Sequence, residues 1–191
     1  LHMSALNASE SQNSSSYLNS KGKGENRVHT LTAGVVKVTS FRPSVIFGPP
    51  RGRMEFATQL KRDLIDTPLP APLFFPGIDP RQAGTFELSP VHVEDVARAF
   101  AASLQSSATH RRILHLGGPE ALSWRSILTR LAAVAGRAKP MLPVPALGVS
   151  AAASVLDRWP RFPITRDQIT MLLQGNACSP DDLTSLDIEA R

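Results

Sequence analysis

The segment VVKVTSFRPSVIFG, residues 35–48, decides the fold class of this 191-residue chain. It is β-branched and apolar almost throughout, which is typical of a strand buried on both faces of a parallel sheet. We therefore expect an internal strand here, with Val36, Val38 and Phe41 buried on its faces. A strand of this kind favours an α/β architecture.

The chain downstream alternates between strand and helix patterns. PPRGR (49–53) breaks the strand, and Phe56, Leu60 and Leu64 then recur at helical spacing. Beyond them the patterns predict strands in LFF (73–75), FELSPVHV (86–93) and RILHLGG (112–118), and helices over EDVARAFAASLQ (94–105), SWRSILTRLAAVAGRA (123–138, with Ser123 as N-cap), GVSAAASVLDRW (148–159) and TRDQITMLLQG (165–175). This order is half of a doubly wound domain followed by a helical cap.

Composition excludes several classes of protein. The formal net charge of +5 suits an anionic partner, but the basic residues are scattered and aromatic residues make up only 6%, so we expect no nucleic-acid binding. A single cysteine excludes an internal disulfide framework and fits a reducing compartment. The five histidines lack paired ligand spacing, so we expect no metal site. The longest apolar stretch (140–156) contains three prolines and is shorter than a spanning helix, which predicts no transmembrane segment.

The segment SSSYLNSKGKGE, residues 14–25, holds the only tyrosine of the chain, four residues before a lysine. On a helix Tyr17 and Lys21 share one face. An ammonium beside a phenol lowers the tyrosine pKa from about 10 toward neutral pH, as a general acid for a carbonyl or alcohol requires. The alternative is a surface pair that occurs by chance, and Gly22 and Gly24 weaken the helix prediction because each disfavours a helix interior.

The motif order resembles a known superfamily. Ser4 lies thirteen residues before Tyr17, directly after LHM (1–3), which we interpret as a strand end, and FRPSVIFGP (41–49) follows the lysine. Together with SPVHVEDVARA (89–99) and LHLGGPEALSWRSIL (114–128), these segments resemble the extended and atypical short-chain dehydrogenase/reductases. The chain is most similar to the branch that contains the NAD(P)H-binding accessory subunit of respiratory complex I and its bacterial relatives.

The resemblance implies a fold and a site. The fold is the C-terminal part of a Rossmann-type doubly wound parallel sheet (1–48) with a smaller, mainly helical substrate lobe (49–191), of which 86–118 returns strands and a helix to the core. Tyr17 would donate or accept the proton, Lys21 would hold the nicotinamide ribose, and Ser4 would orient the substrate carbonyl. The residues implied to line the nicotinamide, mainly through backbone, are Pro43, Ser44 and Val45.

The superfamily's glycine-rich dinucleotide fingerprint has no counterpart in residues 1–191, and it belongs ahead of residue 1. We therefore expect NAD or NADP as cofactor, with an upstream half of the same protein completing the site, and only weak nucleotide binding by residues 1–191 alone. Arg51 and Arg53 are either phosphate contacts or part of a solvated loop.

Three functions remain open from the sequence. The first is an NAD(P)-dependent oxidoreductase or epimerase-like enzyme, and the second a non-catalytic NAD(P)H-binding accessory or assembly subunit of complex I. The third is a sugar-nucleotide epimerase or dehydratase, which the apolar PLPAPLFFPG (68–77) disfavours. The expected location is the bacterial cytoplasm, with a peripheral position at the inner membrane under the second reading, or the mitochondrial matrix side in a eukaryote.

Five other residues are assigned no chemistry. We expect Asp95 to cap a helix and His92 to point out from a strand end, rather than to form a catalytic dyad. Trp124 and Trp159 are expected to be packing residues. Cys178 has no base nearby in sequence, so we expect it to be unreactive.

Overall fold

The computed structural model describes residues 1–11, 15–49, 52, 54–146 and 166–191. In chain order the elements are β1 (His2–Met3), α1 (Ser16–Leu31), β2 (Ser40–Pro43), β3 (Ile46–Phe47), α2 (Phe56–Leu60) continued by a π-helical turn (Lys61–Ile65), β4 (Ala71–Phe75), a 3₁₀ turn (Pro80–Gln82), β5 (Glu87–Leu88), β6 (Val91–His92), α3 (Val93–Gln105), a second 3₁₀ turn (Ser107–Thr109), β7 (Ile113–Leu116), β8 (Leu122–Ser123), α4 (Trp124–Val134), β9 (Met141–Pro145), α5 (Arg166–Leu173) and α6 (Asp181–Thr184). None of the helices in these described ranges is long and apolar enough to cross a membrane.

The chain divides into two compact units. Unit 1 comprises residues 1–48, 89–121 and 176–191, and unit 2 comprises residues 49–88 and 122–175. The domain division expected at residue 48 stays a prediction.

The central sheet of unit 1 is parallel, and its strand order is β1-β2-β7. In the register, Phe41 of β2 lies between Met3 of β1 and Leu114 of β7. The predicted fold class, α/β with a parallel sheet in which the 35–48 segment is internal, is confirmed.

The predicted extent of that strand is wrong. The chain is still turning after α1, because the amides of Val35 and Val36 both donate to the carbonyl of Thr32, and Val36 is therefore exposed. Val38 and Phe41 are buried as expected. The ladder of β2 ends at Pro43, and the chain then changes partner, since β3 pairs with β6 rather than with β7. The single strand predicted over 86–93 is likewise two strands, β5 and β6.

The core of unit 1 forms between the sheet and α3. Helix α3 buries Val96 and Ala99, and Phe100 stacks on Phe41 with ring centroids 4.1 Å apart. Leu183 and Ile188, near the C-terminus, complete the same cluster. The strand ends that carry the candidate site are therefore supported by a packed apolar layer.

Unit 2 is built on the parallel pair β4 and β9. Helix α4 begins at the N-cap Ser123, whose hydroxyl accepts from the Ser126 amide, as predicted. Trp124 is fully buried as a packing residue, and its indole N–H donates to the Pro72 carbonyl at 2.9 Å. The prediction for Trp159 and the helix predicted over 148–159 lie outside the described residues.

Candidate functional site

Helix α1 forms despite its two glycines because its ends and one close contact hold it. Ser15 is the N-cap and its hydroxyl accepts from the Leu18 amide at 3.2 Å. A Cβ on Gly22 would lie 2.6–2.8 Å from the backbone of Ser9, whereas one on Gly24 would meet nothing within 4 Å. Gly22 is thus required for the helix to approach the segment that follows β1, and Gly24 has no such role.

The carboxyl ends of β1 and β2 meet at one edge of the sheet. The Ser4 amide donates to the Phe41 carbonyl at 2.8 Å, and the Leu6 amide donates to the Pro43 carbonyl at 2.9 Å. The Ser4 hydroxyl is buried and has no hydrogen-bond partner among the described residues. A buried donor without a partner at the carboxyl edge of a parallel sheet is a feature of ligand sites in open α/β folds.

Tyr17 and Lys21 lie together at this edge. The Lys21 ammonium is 5.8 Å from the centroid of the Tyr17 ring and donates to the Met3 carbonyl at 3.3 Å. Lys21 therefore joins Tyr17 to the residue that directly precedes Ser4. Tyr17 is 46% exposed, so about half of the residue is open to solvent.

The pKa of Tyr17 differs from expectation. Burial of the ring raises the pKa of the phenol above its ordinary value, whereas we expected the neighbouring ammonium to lower it. Partial desolvation of the ring therefore outweighs the cation at 5.8 Å. At neutral pH the phenol is protonated, a state in which it can donate a proton or a hydrogen bond.

An ion pair that the sequence analysis missed lies beneath the same helix face. Arg42 of β2 donates from Nε to both oxygens of Glu25, at 3.2 and 3.0 Å, and from Nη2 to Oε1 at 2.5 Å. Burial, the largest single influence, would raise the pKa of the Glu25 carboxyl, but the hydrogen bonds and charge of Arg42, with smaller contributions from Ser4 and His29, together outweigh it, so the pKa lies below its ordinary value. The Ser4 hydroxyl also helps to lower this pKa, although its geometry falls short of a hydrogen bond.

The backbone groups of the residues predicted to line the nicotinamide already make several hydrogen bonds within the fold. The Pro43 carbonyl accepts from Leu6, the Ser44 amide donates to the Leu116 carbonyl, and the Val45 carbonyl accepts from Val91. The Ser44 hydroxyl donates to the Asn176 carbonyl at 2.6 Å. These bonds fix residues 43–45 at the carboxyl edge, and their role toward a nicotinamide stays a prediction.

Two glycines at the end of β7 are not a phosphate cradle. A Cβ on Gly117 would lie 2.4 Å from the Cys178 carbonyl oxygen, and one on Gly118 would lie 1.8 Å from the Pro90 carbonyl oxygen. Chain carbonyls rather than an open anion site occupy the space beside both glycines. Arg51 and Arg53, the predicted alternative phosphate contacts, lie outside the described residues.

The remaining predictions concern residues away from this edge. The N-cap of α3 is His92, whose Nδ1 accepts from the Glu94 amide at 3.3 Å, so the capping role expected of Asp95 was wrong. Asp95 is instead a buried carboxylate in the first turn that accepts from Arg98 and from the Arg191 amide. Burial raises the pKa of the Cys178 thiol to about 11, in line with an unreactive cysteine. Among the described residues no group of three His, Cys, Asp or Glu could hold a metal ion.

Comparisons with known proteins identify the fold. No protein-family model and no curated protein matches the chain. Among solved structures, the epimerase of Methanothermobacter thermautotrophicus matches with a TM-score of 0.67 at 12% identity, over 99% of this chain and 53% of the other. The UDP-glucuronic acid 4-epimerase of Bacillus cereus, solved with UDP-glucuronic acid and NAD, matches with a TM-score of 0.56 at 19% identity, over 97% and 61%. The UDP-glucose 4-epimerase of Thermus thermophilus, solved with NAD, matches with a TM-score of 0.54 at 20% identity, over 91% and 62%.

At these identities the likeness establishes the fold class, a Rossmann-type α/β domain with parallel strands. The chain spans about half to three fifths of the length of these structures.

Proposed function

We propose that the protein is an NAD(P)-dependent oxidoreductase or epimerase-like member of the short-chain dehydrogenase superfamily. The observation that carries this proposal is the half-exposed Tyr17 with the Lys21 ammonium beside its ring, at a strand end where the Ser4 hydroxyl is buried and has no hydrogen-bond partner in the described part of the chain. The Rossmann-type fold, which this chain shares with epimerases that bind NAD, supports it.

Each residue of the site has a distinct role in this proposal. A nicotinamide held by these residues would supply the hydride: its electron pair would form the new C–H bond while the substrate C=O π bond breaks and NAD(P)H is oxidised. Tyr17 transfers its phenolic proton to the resulting oxygen. Lys21 holds the ribose hydroxyls, and the Ser4 hydroxyl donates to the substrate oxygen and so fixes its orientation.

The residues present fit one end of the cofactor. The unpartnered Ser4 hydroxyl, the exposed Tyr17 and the Lys21 ammonium offer donors suited to a nicotinamide ribose and a carbonyl. The filled spaces beside Gly117 and Gly118 offer no room for a pyrophosphate. We propose that the pyrophosphate is bound by sequence upstream of residue 1, as the resemblance implies.

The test is the Tyr17→Phe substitution in the protein as it is naturally encoded, with any sequence that flanks residues 1–191. Turnover of carbonyl or nucleotide-sugar substrates should fall by about 10²-fold or more, because a general acid is lost. The dissociation constant of NAD(P)H should stay nearly unchanged, because only one hydroxyl is removed. Thr30→Val, which removes a hydroxyl from an exposed position near the other end of the same helix, is the matched control and should retain full turnover.

Two outcomes would contradict the enzymatic proposal. Wild-type turnover in Tyr17→Phe would remove the role assigned to Tyr17. A wild-type protein that binds neither NAD(H) nor NADP(H) would refute the cofactor assignment as well.

A second candidate function is a non-catalytic NAD(P)H-binding accessory or assembly subunit of respiratory complex I. The raised pKa of Tyr17 favours it, because the phenol gains no activation from Lys21. All of the net charge also falls in unit 2, which has twelve basic and seven acidic residues against nine of each in unit 1, and a basic unit suits an acidic subunit or an anionic membrane surface. Bound nucleotide that is retained and never consumed would favour this candidate over the enzyme.

A further inference from the structure

Helix α1 carries a stripe of functional side chains that runs from the surface into the interior. Tyr17, Lys21 and Glu25 follow one another at four-residue intervals and share one face of the helix. Exposure falls along the stripe, from 46% at Tyr17 to 0% at Glu25. The two residues at the site therefore lie on the same face as a buried carboxylate, within two helical turns of it.

That carboxylate is tied to the middle strand of the sheet. Three hydrogen bonds of 2.5–3.2 Å join Glu25 to the guanidinium of Arg42. Arg42 directly precedes Pro43, where β2 ends, and β2 lies between β1 and β7. The ion pair thus connects the helix to the sheet one residue before the end of β2. Lys21 contacts the same edge of the sheet, where it donates to the Met3 carbonyl.

Stability is a poor explanation for an ion pair in this position. Burying two charges costs desolvation, and an apolar pair of similar volume is often as stable or more so. What a planar guanidinium and a carboxylate provide in addition is a fixed direction and register, because several hydrogen bonds must be made at once. Two further polar atoms, His2 Nε2 in β1 and Ser4 Oγ directly after it, are buried here without a partner among the described residues, so the interface under α1 is polar over more than this one pair.

We propose that Glu25 and Arg42 are positioning residues that set the rotation and register of α1 on the sheet, so that Lys21 reaches the Met3 carbonyl and stays beside the Tyr17 ring. The consequence for turnover rests on the proposed function. The consequence for the surroundings of Tyr17 does not, and it can be measured without any nucleotide.

The decisive variant is the double substitution Glu25→Gln/Arg42→Met. It removes one negative and one positive charge together, so the net charge near Tyr17 is unchanged, and it leaves no unpaired buried charge. The matched control is Asp95→Asn, which weakens another buried carboxylate–arginine pair of unit 1, on α3. The readout is the absorbance titration of tyrosinate, taken as the difference from the Tyr17→Phe protein so that it reports Tyr17 alone; residues 1–191 contain no other tyrosine.

We expect the double variant to fold and its Tyr17 titration to shift to lower pH, since a loosened helix exposes more of the ring to water. In the protein as it is naturally encoded, turnover of the double variant should fall on the order of 10²-fold, as expected when Tyr17 and Lys21 are misplaced. Asp95→Asn should leave the titration of Tyr17 unchanged, even where this variant is less stable than the wild type. A folded double variant with wild-type titration and wild-type nucleotide affinity would overturn the proposal.

Two further outcomes keep the inference testable. Should the double variant fail to fold, Glu25→Asp keeps the charge and shortens the side chain by one methylene, and it should shift the Tyr17 titration in the same direction. An unchanged titration in folded Glu25→Asp would then overturn the proposal. If the wild-type protein binds no nucleotide, the proposed function fails, while the Tyr17 titration still decides whether Glu25 and Arg42 position the helix.

Discussion

Helices α1 and α3 of unit 1 bury residues at the same three-to-four-residue spacing, yet with different chemistry. Helix α3 buries Val96 and Ala99 along with Asp95 and Ser103, and the apolar pair joins the core around Phe41. The buried positions of α1 are Leu18, Gly22 and Glu25. Helix α3 thus places apolar residues in the core beside its buried carboxylate, as an amphipathic helix does, whereas α1 buries only one large apolar residue, together with a glycine and a carboxylate.

The difference indicates what each helix is for. Helix α3 begins at a capping side chain, has acidic residues in its first turn and packs an apolar face, so each local preference agrees with the fold. Helix α1 departs from these preferences at Gly22 and Glu25, which are the positions that bring it against Ser9 and Arg42. Departures of this kind are expected where a structure has to hold a functional site.

The largest effect on this comparison is expected from Lys21→Ala. Loss of a charged hydrogen bond to the ribose should cost about 1.5–3 kcal/mol of nucleotide binding, roughly tenfold or more in the dissociation constant, and turnover should fall as well. Lys23→Ala removes the same charge from an exposed position of α1 and serves as control. Titration of NAD(P)H fluorescence measures both, and equal affinities in the two variants would leave Lys21 as a surface residue.

The two glycines of α1 allow the comparison to be tested by stability alone. Gly22→Ala should destabilise the protein by about 1–3 kcal/mol, because the new Cβ would lie 2.6 Å from the Ser9 backbone and overpacking outweighs the gain in helix propensity. Gly24→Ala meets nothing within 4 Å and should stabilise by about 1 kcal/mol. Urea unfolding of both variants checks this, and the same sign for the two would show that α1 is an ordinary solvated helix.

The same contrast explains how much the sequence could predict. The internal position of the 35–48 segment, helix α3 and the Ser123 cap follow from local patterns, and all three predictions are confirmed. The end of the β2 ladder at Pro43 depends on which strand pairs next, which periodicity does not report. The predicted 35–48 strand was accordingly too long.

The candidate site divides in the same way. Helical spacing was enough to place Lys21 beside Tyr17. The Glu25–Arg42 pair joins residues 17 positions apart on a helix and a strand, so it depends on tertiary packing. The raised pKa of Tyr17 also comes from packing, since the burial of the ring decides its sign. The one available sequence signal was Glu25 itself, a carboxylate on the Tyr17–Lys21 face.

The smallest expected effect is the pH dependence of the stability that the Glu25–Arg42 contact of α1 contributes. The pKa of Glu25 is lower in the folded protein than in the unfolded chain, because the hydrogen bonds and charge of Arg42, together with Ser4 and His29, outweigh the burial that would raise it. The unfolded chain therefore binds more protons than the folded protein as the pH falls below the ordinary range of a glutamate. The stabilisation is fully present above that range and is lost as the pH falls through the folded pKa.

We expect the difference in unfolding free energy between wild type and Glu25→Gln to shrink over this acidic window and to be constant from weakly acidic to neutral pH. Urea unfolding of both proteins at a series of pH values measures it. A difference that does not change with acid would mean that the pKa of Glu25 is the same in the folded protein as in the unfolded chain. The Arg42 contact would then favour the ionised and the neutral carboxyl equally, and α1 would lack the stabilising ion pair with β2 that we assign to it.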